Sequence, residues 1–286
     1  LLERPAMLGR LMEPYEHRIA VSGTHGKTTT TSMINMILDR AGLDASALIG
    51  GDLKSLGGNA RLGAGSVILT EACEAFESFL HLHPSLAVIT NIDADHLDYY
   101  KTIENIEDSF RQFVSQVDDD GCVVACWDDP RVQRVLDGCG RRIVKFGLSG
   151  ALDVLGADVD VSSPEPTYTL VHKQKALGQV RMGVPGIQNV VDSLAAAAVA
   201  FELNVGFDAI ADGLQDFRGA GRRFEILFDD RGIMAIDDYA HHPSEIKATL
   251  SAARAAYSKR IIAVFQPHLY SRTKIFEADF AEALAI

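Results

Sequence analysis

Residues 22–31 read Ser22-Gly23-Thr24-His25-Gly26-Lys27-Thr28-Thr29-Thr30-Thr31 and follow the apolar run Ile19-Ala20-Val21. Apolar residues then recur at helical spacing through residues 33–38. A strand, a glycine loop with Lys-Thr and a helix, in this order, cradle nucleotide phosphates on backbone N–H groups. We expect Lys27 to reach the β- and γ-phosphates and the Thr28 hydroxyl to bind Mg²⁺. The alternative is an ordinary turn that contains Gly and Lys.

Composition and charge limit the classes to which the chain can belong. Its 286 residues suffice for about two domains, and 47% of them are hydrophobic, as in ordinary globular proteins. The 39 acidic against 27 basic residues give a net charge of −12, which argues against a nucleic-acid partner. The four cysteines show no C-x-x-C zinc spacing, and no apolar run approaches the ~20 residues of a membrane span. We therefore expect a reduced cytoplasmic chain without a membrane partner.

Two further apolar runs, residues 67–70 and 86–90, predict buried parallel strands, and polar residues follow each run directly. The carboxyl ends of parallel strands meet at one edge of a sheet. Glu71, the 91–98 loop and the glycine loop are therefore expected to converge. Glu71 is a candidate Mg²⁺ ligand together with Thr28, and an exposed strand-end carboxylate is the alternative.

The 91–98 loop, Asn91-Ile92-Asp93-Ala94-Asp95-His96-Leu97-Asp98, holds three aspartates and one histidine. A carboxylate or a neutral His could bind a second divalent cation. Taken alone, the loop is explained equally well as a helix cap, but its position beside the glycine loop favours a metal site. Glu74 and Glu77 are weaker candidates, because solvated acids are favourable in the first turn of a helix without any ligand.

Periodicity along the rest of the chain predicts an α/β fold: a mostly parallel sheet with an antiparallel extension. Helical patterns mark residues 1–17, 27–40, 103–117, 130–136, 186–204 and 207–217. Further strands are predicted at 122–126 and 143–146, and alternation between 147 and 184 predicts the antiparallel strands.

The stretch Phe217-Arg218-Gly219-Ala220-Gly221-Arg222-Arg223 is glycine-rich and basic, and it is the best candidate for a domain boundary. We expect a linker at residues 1–17, a central P-loop, ATP-binding domain at 18–223 and a partial Rossmann-like α/β domain at 224–286. In this last domain the pattern predicts a hairpin near 229–232, a strand at 233–236, a helix at 243–257, a strand at 260–265 and a helix beginning near Thr273.

Two loops of the last domain follow its predicted strands and should share one edge of the sheet. They read Asp237-Asp238-Tyr239-Ala240-His241-His242-Pro243 and Gln266-Pro267-His268-Leu269-Tyr270-Ser271-Arg272. Caps and turns account for Asp238 and Pro243 but not for two adjacent histidines. Arg222-Arg223 could reach nucleotide phosphates when the domains close, and a solvated linker is the alternative.

These motifs together resemble the Mur ligase family, the ATP-dependent amide ligases of peptidoglycan synthesis. The resemblance rests on residues 23–29, 90–98, 221–224, 238–243 and 265–268. It implies a UDP-binding N-terminal domain, a central ATPase domain and a Rossmann-like C-terminal domain. Because the chain begins just before the glycine loop, we expect a fragment that lacks the first domain and holds part of the third.

The resemblance also implies a role for each matching position. ATP contacts are implied for Gly23, Thr24, His25, Gly26, Lys27, Thr28, Thr29, Asn189 (base), Arg223 (phosphates) and Asp238 (ribose). The first of two Mg²⁺ ions is assigned to Thr28 and Glu71, and the second to His96. Catalytic roles are implied for Lys27, His96, Arg223 and His241. Substrate contacts are implied for His242, His268 and Arg272.

The implied reaction joins L-alanine to the carboxylate of UDP-N-acetylmuramate through an acyl phosphate made with ATP. One alternative is a recycling ligase that attaches a whole peptide to the same carboxylate. Others are a nucleotide-binding module, either a P-loop switch or a kinase-like domain, and a folded but inactive fragment. Relatives often have Asn where Asp192 stands, so no base contact is assigned there. The oligomeric state is not predicted.

Overall fold

The computed structural model describes residues 2–53 and 57–286, so the predicted start of the first helix at Leu1 lies outside it. Within these residues, ten strands form one sheet and two strands form a separate hairpin. The sheet strands are β1 (His17–Ser22), β2 (Ser46–Leu53), β3 (Gly58–Arg61), β4 (Val67–Glu71), β5 (Leu86–Ile89), β6 (Cys122–Cys126), β7 (Arg142–Gly147), β8 (Val154–Asp160), β9 (Thr167–His172) and β10 (Lys175–Arg181). The hairpin is β11 (Glu225–Asp230) and β12 (Ile233–Asp237).

The order of the strands places the glycine loop in a crevice of the sheet. The order is β10-β9-β8-β7-β6-β5-β1-β4-β2-β3. Strand β1 pairs in parallel with both β4 and β5, so the chain runs outward in opposite directions from this strand. Ligands bind at such switch points, beyond the carboxyl ends of the strands. The antiparallel extension is confirmed by β8, β9 and β10.

Helices cover both faces of the sheet. They are α1 (Arg4–Met12), α2 (Lys27–Arg40), α3 (Leu97–Tyr100), α4 (Ile103–Ser115), α5 (Pro130–Leu136), α6 (Ile187–Glu202), α7 (Phe207–Asp216), α8 (Pro243–Ala256), α9 (Tyr270–Ile275) and α10 (Glu277–Leu284). Alternate residues of β1 enter different cores: Ile19 packs with α2, α6 and α7, whereas Ala20 packs with α1, α4 and α5. Every helix in the described part is too short or too polar to cross a bilayer.

Most predicted elements of the central region are confirmed. Helix α2 ends at Arg40, and Gly42 follows in the left-handed region with φ of +72°. Helix α1 is shorter than predicted, because it ends at Met12 and His17 already begins β1. The prediction missed β2 and β3, because the sequence there is rich in glycine and lacks a long apolar run.

The strand predicted at 260–265 is wrong. These residues join no sheet in the described chain, although five apolar residues in a row are typical of a strand. Their sequence is Arg260-Ile261-Ile262-Ala263-Val264-Phe265. Ile262 is 74% exposed and Val264 95% exposed. A strand needs a neighbour for its backbone hydrogen bonds, and the described residues supply none here. The helix predicted near Thr273 begins three residues earlier and is divided into α9 and α10.

Candidate functional site

The glycine loop between β1 and α2 is hydrogen-bonded to the start of the 91–98 loop. Gly23 and Gly26 have φ of +136° and +82°, conformations that favour glycine. Asn91 binds His25 twice: its Oδ1 accepts from the His25 backbone N–H at 2.8 Å, and its Nδ2 donates to the His25 carbonyl at 3.0 Å. The loop therefore keeps its shape through contacts with a neighbouring strand end, as the sequence predicted.

Lys27 is the first residue of α2 and forms a buried ion pair with Glu74. Its Nζ donates to Glu74 Oε2 at 2.7 Å, and Glu74 is 3% exposed. Burial acts to lower the pKa of Lys27, but the charge and hydrogen bond of Glu74, together with the charges of Cys73 and Glu71, outweigh burial and raise the pKa. The interpretation of Glu74 as a solvated helix acid is therefore wrong. His96 lies beside the same carboxylate, with Nε2 4.0 Å from Oε1.

The first predicted metal ligands face two glycines of β2. A Cβ on Gly50 would collide with the Glu71 carboxylate, and a Cβ on Gly51 would press on the Thr28 methyl group at 3.2 Å. Glu71 also accepts from the Gly50 backbone N–H at 2.6 Å. The Thr28 hydroxyl and the Glu71 carboxylate are the residue chemistry that fits Mg²⁺, because this ion prefers hard oxygen ligands. The sequence prediction missed Gly50 and Gly51.

A cavity of about 1000 Å³ brings together many of the predicted nucleotide contacts. Its lining includes His25, Gly26, Thr29, Asn189, Arg223 and Asp238. The guanidinium of Arg223 stacks over the Tyr239 ring at 5.1 Å. Asp238 accepts from two backbone N–H groups, those of Phe224 and Ala240, each at 2.8 Å. Residues far apart in the sequence thus share one concave site.

Asp192 also lines this cavity and lies against the glycine loop. A Cβ on Gly26 would collide with its carboxyl oxygen, so glycine is required at that position. Burial raises the pKa of Asp192 to about 8. The carboxyl group is therefore mostly protonated at neutral pH, and in this form it brings no negative charge to the glycine loop.

His25 is held between two carboxylates from different parts of the chain. Its Nε2 lies 3.2 Å from Asp93 Oδ2, and its Nδ1 lies 3.2 Å from Glu245 Oε1. Burial acts to lower the pKa of His25, but the hydrogen bonds and charges of Asp93 and Glu245 raise it to about 9. His25 is thus a cation that joins the glycine loop to α8.

His25, Asp93 and His242 together bring three potential ligand atoms within 4.8 Å. Hydrogen bonding accounts for this arrangement. Nδ1 of His242 accepts from the Ser244 backbone N–H at 3.4 Å, and its Nε2 lies 3.3 Å from the Ala94 carbonyl. Both ring nitrogens of His242 therefore have partners within the chain.

The predicted substrate residues of the last domain lie in two environments. His241 is half-buried, with Nδ1 2.9 Å from the Tyr239 carbonyl, and its ring centroid lies 6.4 Å from that of the exposed His268. Arg272 is buried and paired with Asp95, from which its Nη2 lies 2.8 Å. His242 and Arg272 thus contact the 91–98 loop, whereas His241 and His268 face each other.

Two known domains of one protein family match the sequence of this chain. The Mur ligase middle domain matches residues 21–200, and the glutamate ligase domain of Mur ligases matches residues 222–285. The chain belongs to the Mur ligase family.

This Mur ligase chain is similar over nearly its whole length to three proteins of the family. It is 45% identical to the UDP-N-acetylmuramate–L-alanine ligase of Caldanaerobacter subterraneus over 99% of the chain and 62% of that protein. It is 47% identical to the ligase of the same name from Geobacter sp. strain M21, over 99% of the chain and 61% of that protein. The crystal structure of UDP-N-acetylmuramate-alanine ligase from Thermotoga maritima matches 98% of the chain and 62% of its own, at 30% identity and a TM-score of 0.83.

Sequence reasoning missed Glu245 as part of this site and named Glu74 only as a weaker candidate. Glu245 stands three residues after His242, the spacing of a capping box, so the sequence contained a signal for its helical role. Its contact with His25, 220 residues earlier, has no such local signal.

Proposed function

We propose that the full-length protein joins L-alanine to the carboxylate of UDP-N-acetylmuramate at the expense of ATP, in the synthesis of peptidoglycan precursors. The observation that carries this proposal is the shared cavity, because His25, Gly26 and Thr29 of the glycine loop line it together with Asn189, Arg223 and Asp238. The names of the most similar relatives supply the substrates. The chain spans about 62% of the length of such a relative, so the activity belongs to the longer protein.

The proposed roles follow from the chemistry of each group. The glycine loop and Lys27 bind the ATP phosphates, and Arg223 approaches them from the other side of the cavity. Thr28 and Glu71 would hold one Mg²⁺ ion, and His96 would hold a second. Bound there, the cations would supply positive charge for the phosphoryl group and for the muramate carboxylate. The muramate carboxylate takes the γ-phosphoryl group of ATP, and ADP leaves. The L-alanine amine then attacks the acyl carbon, so that the amide bond forms, inorganic phosphate leaves and the amine releases a proton.

The substrate side is assigned to the last domain. His241 and His268 are proposed to meet the incoming amino acid. His242 and Arg272 can do so only after they leave their present partners, because both ring nitrogens of His242 are hydrogen-bonded and the guanidinium of Arg272 is occupied by Asp95. This assignment therefore requires movement of α9 against the 91–98 loop. The division at residues 17 and 223 and the cytoplasmic location stay predictions.

Nucleotide binding is tested by calorimetry on the 286-residue chain with ATP and Mg²⁺. Lys27→Met is expected to weaken binding about 100-fold, because it removes charge-assisted hydrogen bonds to the phosphates. The matched control is Lys175→Met, at an exposed position of β10. This variant should bind ATP as the parent does. Equal affinity of the Lys27 variant and the parent would contradict the assignment of the phosphate site.

The ligase reaction is tested in the full-length protein by phosphate release. We expect release with ATP, UDP-N-acetylmuramate and L-alanine together, and little when any one is omitted. Release only with a tripeptide in place of L-alanine would favour the recycling ligase. ATP hydrolysis at one rate with and without the muramate substrate would favour a nucleotide-binding module.

A further inference from the structure

Glu245 contacts the glycine loop, the backbone at the start of α8 and the side chain of His241, whose Nδ1 lies 3.2 Å from its Oε2. Its Oε1 faces His25 Nδ1 in the glycine loop at 3.2 Å. Its Oε2 accepts from the backbone N–H of His241 at 2.9 Å and of His242 at 3.3 Å. One carboxylate therefore touches the predicted phosphate site and orients the backbone of the two adjacent histidines.

The contact with the backbone belongs to the start of α8. His242 is the N-cap residue and Glu245 is the third residue of the helix, and together they form a capping box. A capping box needs a Glu or Gln at this position and does not need a partner outside the helix. The approach of Glu245 to His25 is therefore additional to what the helix requires.

Two other contacts between the last domain and the central domain end on the 91–98 loop: Ser244 Oγ donates to Asp93 at 2.8 Å, and Arg272 pairs with Asp95. Two contacts reach the glycine loop itself, and both meet His25. One is the His242 ring, whose centroid lies 5.0 Å from that of His25, and the other is the carboxylate of Glu245. His25 and Glu245 also line the same cavity, and their side chains are 18% and 15% exposed. Phosphates that enter this cavity bring negative charge to the pair.

We infer that Glu245 is a positioning residue that couples the glycine loop to the His241–His242 loop through its contact with His25. Nucleotide phosphates near His25 change the strength of this contact, and Glu245 passes the change to the backbone of both histidines. The inference rests on the proposed function, since it assigns a means by which the ATP site and the amino-acid side communicate. The inference adds Glu245 to the residues of the site. It gives His25, which is already assigned to ATP binding, a second role as the partner of Glu245.

Two variants separate the coupling from the helix cap. Glu245→Gln keeps a residue that can complete the capping box but removes the charge that faces His25 and the His241 side chain. His25→Ala removes the partner, together with the ring that lies 5.0 Å from that of His242, and leaves Glu245 and the hydrogen bonds of the α8 cap in place. The matched control is Glu282→Gln on α10, whose carboxylate is 78% exposed and pairs with Lys247 at the surface.

Hydrogen exchange without nucleotide measures the contact itself in the 286-residue chain. Both variants are expected to accelerate exchange of the amides at residues 244–248 about ten-fold, since one charge-assisted hydrogen bond is lost. The effect of the double variant should be smaller than the sum of the two single effects, because the His25–Glu245 contact is lost in both single variants. Unchanged exchange at β1 and β5 shows that the central domain is still folded.

Exchange with ATP and Mg²⁺ then measures the coupling. In the parent and in Glu282→Gln, nucleotide is expected to change exchange at residues 241–248. In Glu245→Gln and His25→Ala this change should be absent at nucleotide concentrations that calorimetry shows to be saturating. A purely structural role for Glu245 would leave the nucleotide response in place, and that result would overturn the inference.

Two further outcomes are decisive. Normal exchange at α8 in His25→Ala, or additive effects in the double variant, would overturn the inference even if ATP binds. Failure of the parent to bind ATP would instead contradict the proposed function, and the exchange data without nucleotide would still decide whether His25 and Glu245 act as a unit.

Discussion

Strand β1 and residues 260–265 have similar sequences and opposite surroundings. Each is a run of small and branched apolar residues followed by a polar loop. Ile19, Ala20 and Val21 are fully buried between β4 and β5, whereas Val264 is 95% exposed and pairs with no strand among the described residues. The comparison shows that an apolar run becomes a strand only where neighbours satisfy its backbone.

The two regions also differ in the cores that support them. Phe79 lies in the central core, with ring centroids 4.8 Å from Phe113 and 5.2 Å from Phe110. Phe280 belongs to a small cluster with Ile246 and Ala283. The central domain can therefore hold a charged pair such as Lys27–Glu74 in a fixed place, while the last domain depends on contacts with its neighbour.

Among variants that still fold, the largest effect is expected from truncating Phe79 in the central core, and Phe280 is its counterpart in the last domain. Phe79→Ala should lower the free energy of unfolding by about 4 kcal/mol, because it leaves a cavity in a closed core. Phe280→Ala should lower it by about 1 kcal/mol, because the cluster is small and can open locally. Urea unfolding followed by tryptophan fluorescence from Trp127 measures the first effect, and exchange at α10 the second. Equal losses of global stability would remove the distinction between the two cores.

The next effect concerns the buried Arg272–Asp95 pair. Arg272→Met leaves the Asp95 carboxylate without this partner and is expected to weaken the attachment of α9 by about 3 kcal/mol. Limited proteolysis of residues 257–269 should be faster in this variant. Arg231→Met in the β11–β12 turn is the matched control, because that side chain is 90% exposed. Unchanged cleavage would show that the pair does not hold α9.

Asp192 makes the stability of the central domain depend on pH. Its pKa is about 8 in the folded protein against an ordinary 3.8, so between these values the folded form keeps a proton that the unfolded chain releases. The free energy of unfolding contributed by this group therefore falls as pH rises from about 4 to 8. Asp192→Asn should be more stable than the parent by about 2 kcal/mol at pH 8 and nearly equal at pH 4.

Urea unfolding of both proteins at pH 4, 6 and 8 measures this difference. Asp208→Asn, in the first turn of α7 and outside the cavity, serves as the control. A difference that does not grow with pH would show that Asp192 is ionised in the folded protein.

The smallest effect is expected where the sequence prediction was wrong. Val264→Lys should change the free energy of unfolding by less than about 0.5 kcal/mol, because the side chain is almost fully exposed. Val124→Lys, in the central strand β6, should prevent folding or destabilise the protein severely, because it buries an unpaired charge. A severe loss in Val264→Lys would show that 260–265 is packed after all.

Local patterns were sufficient for much of this fold. The glycine loop, α2, α5 and the antiparallel extension were predictable because each is specified by residues close together in the chain. The convergence of the glycine loop with the 91–98 loop was also predictable, since parallel strands end at one edge. The same reasoning failed at 260–265. A strand there would need a second strand to pair with, and the local sequence does not show whether the tertiary structure supplies one.

The sequence by itself determined the family, the phosphate-binding loop and the residue types available to the site. Only the tertiary structure decided which charges meet: Lys27 with Glu74, His25 with Asp93 and Glu245, and Arg272 with Asp95. The reason is physical, because a charge removed from water is stable only beside a partner, and the partner is chosen by packing over tens to hundreds of residues. Spacing along a chain reports helices and strands, but not which buried charges will be neighbours.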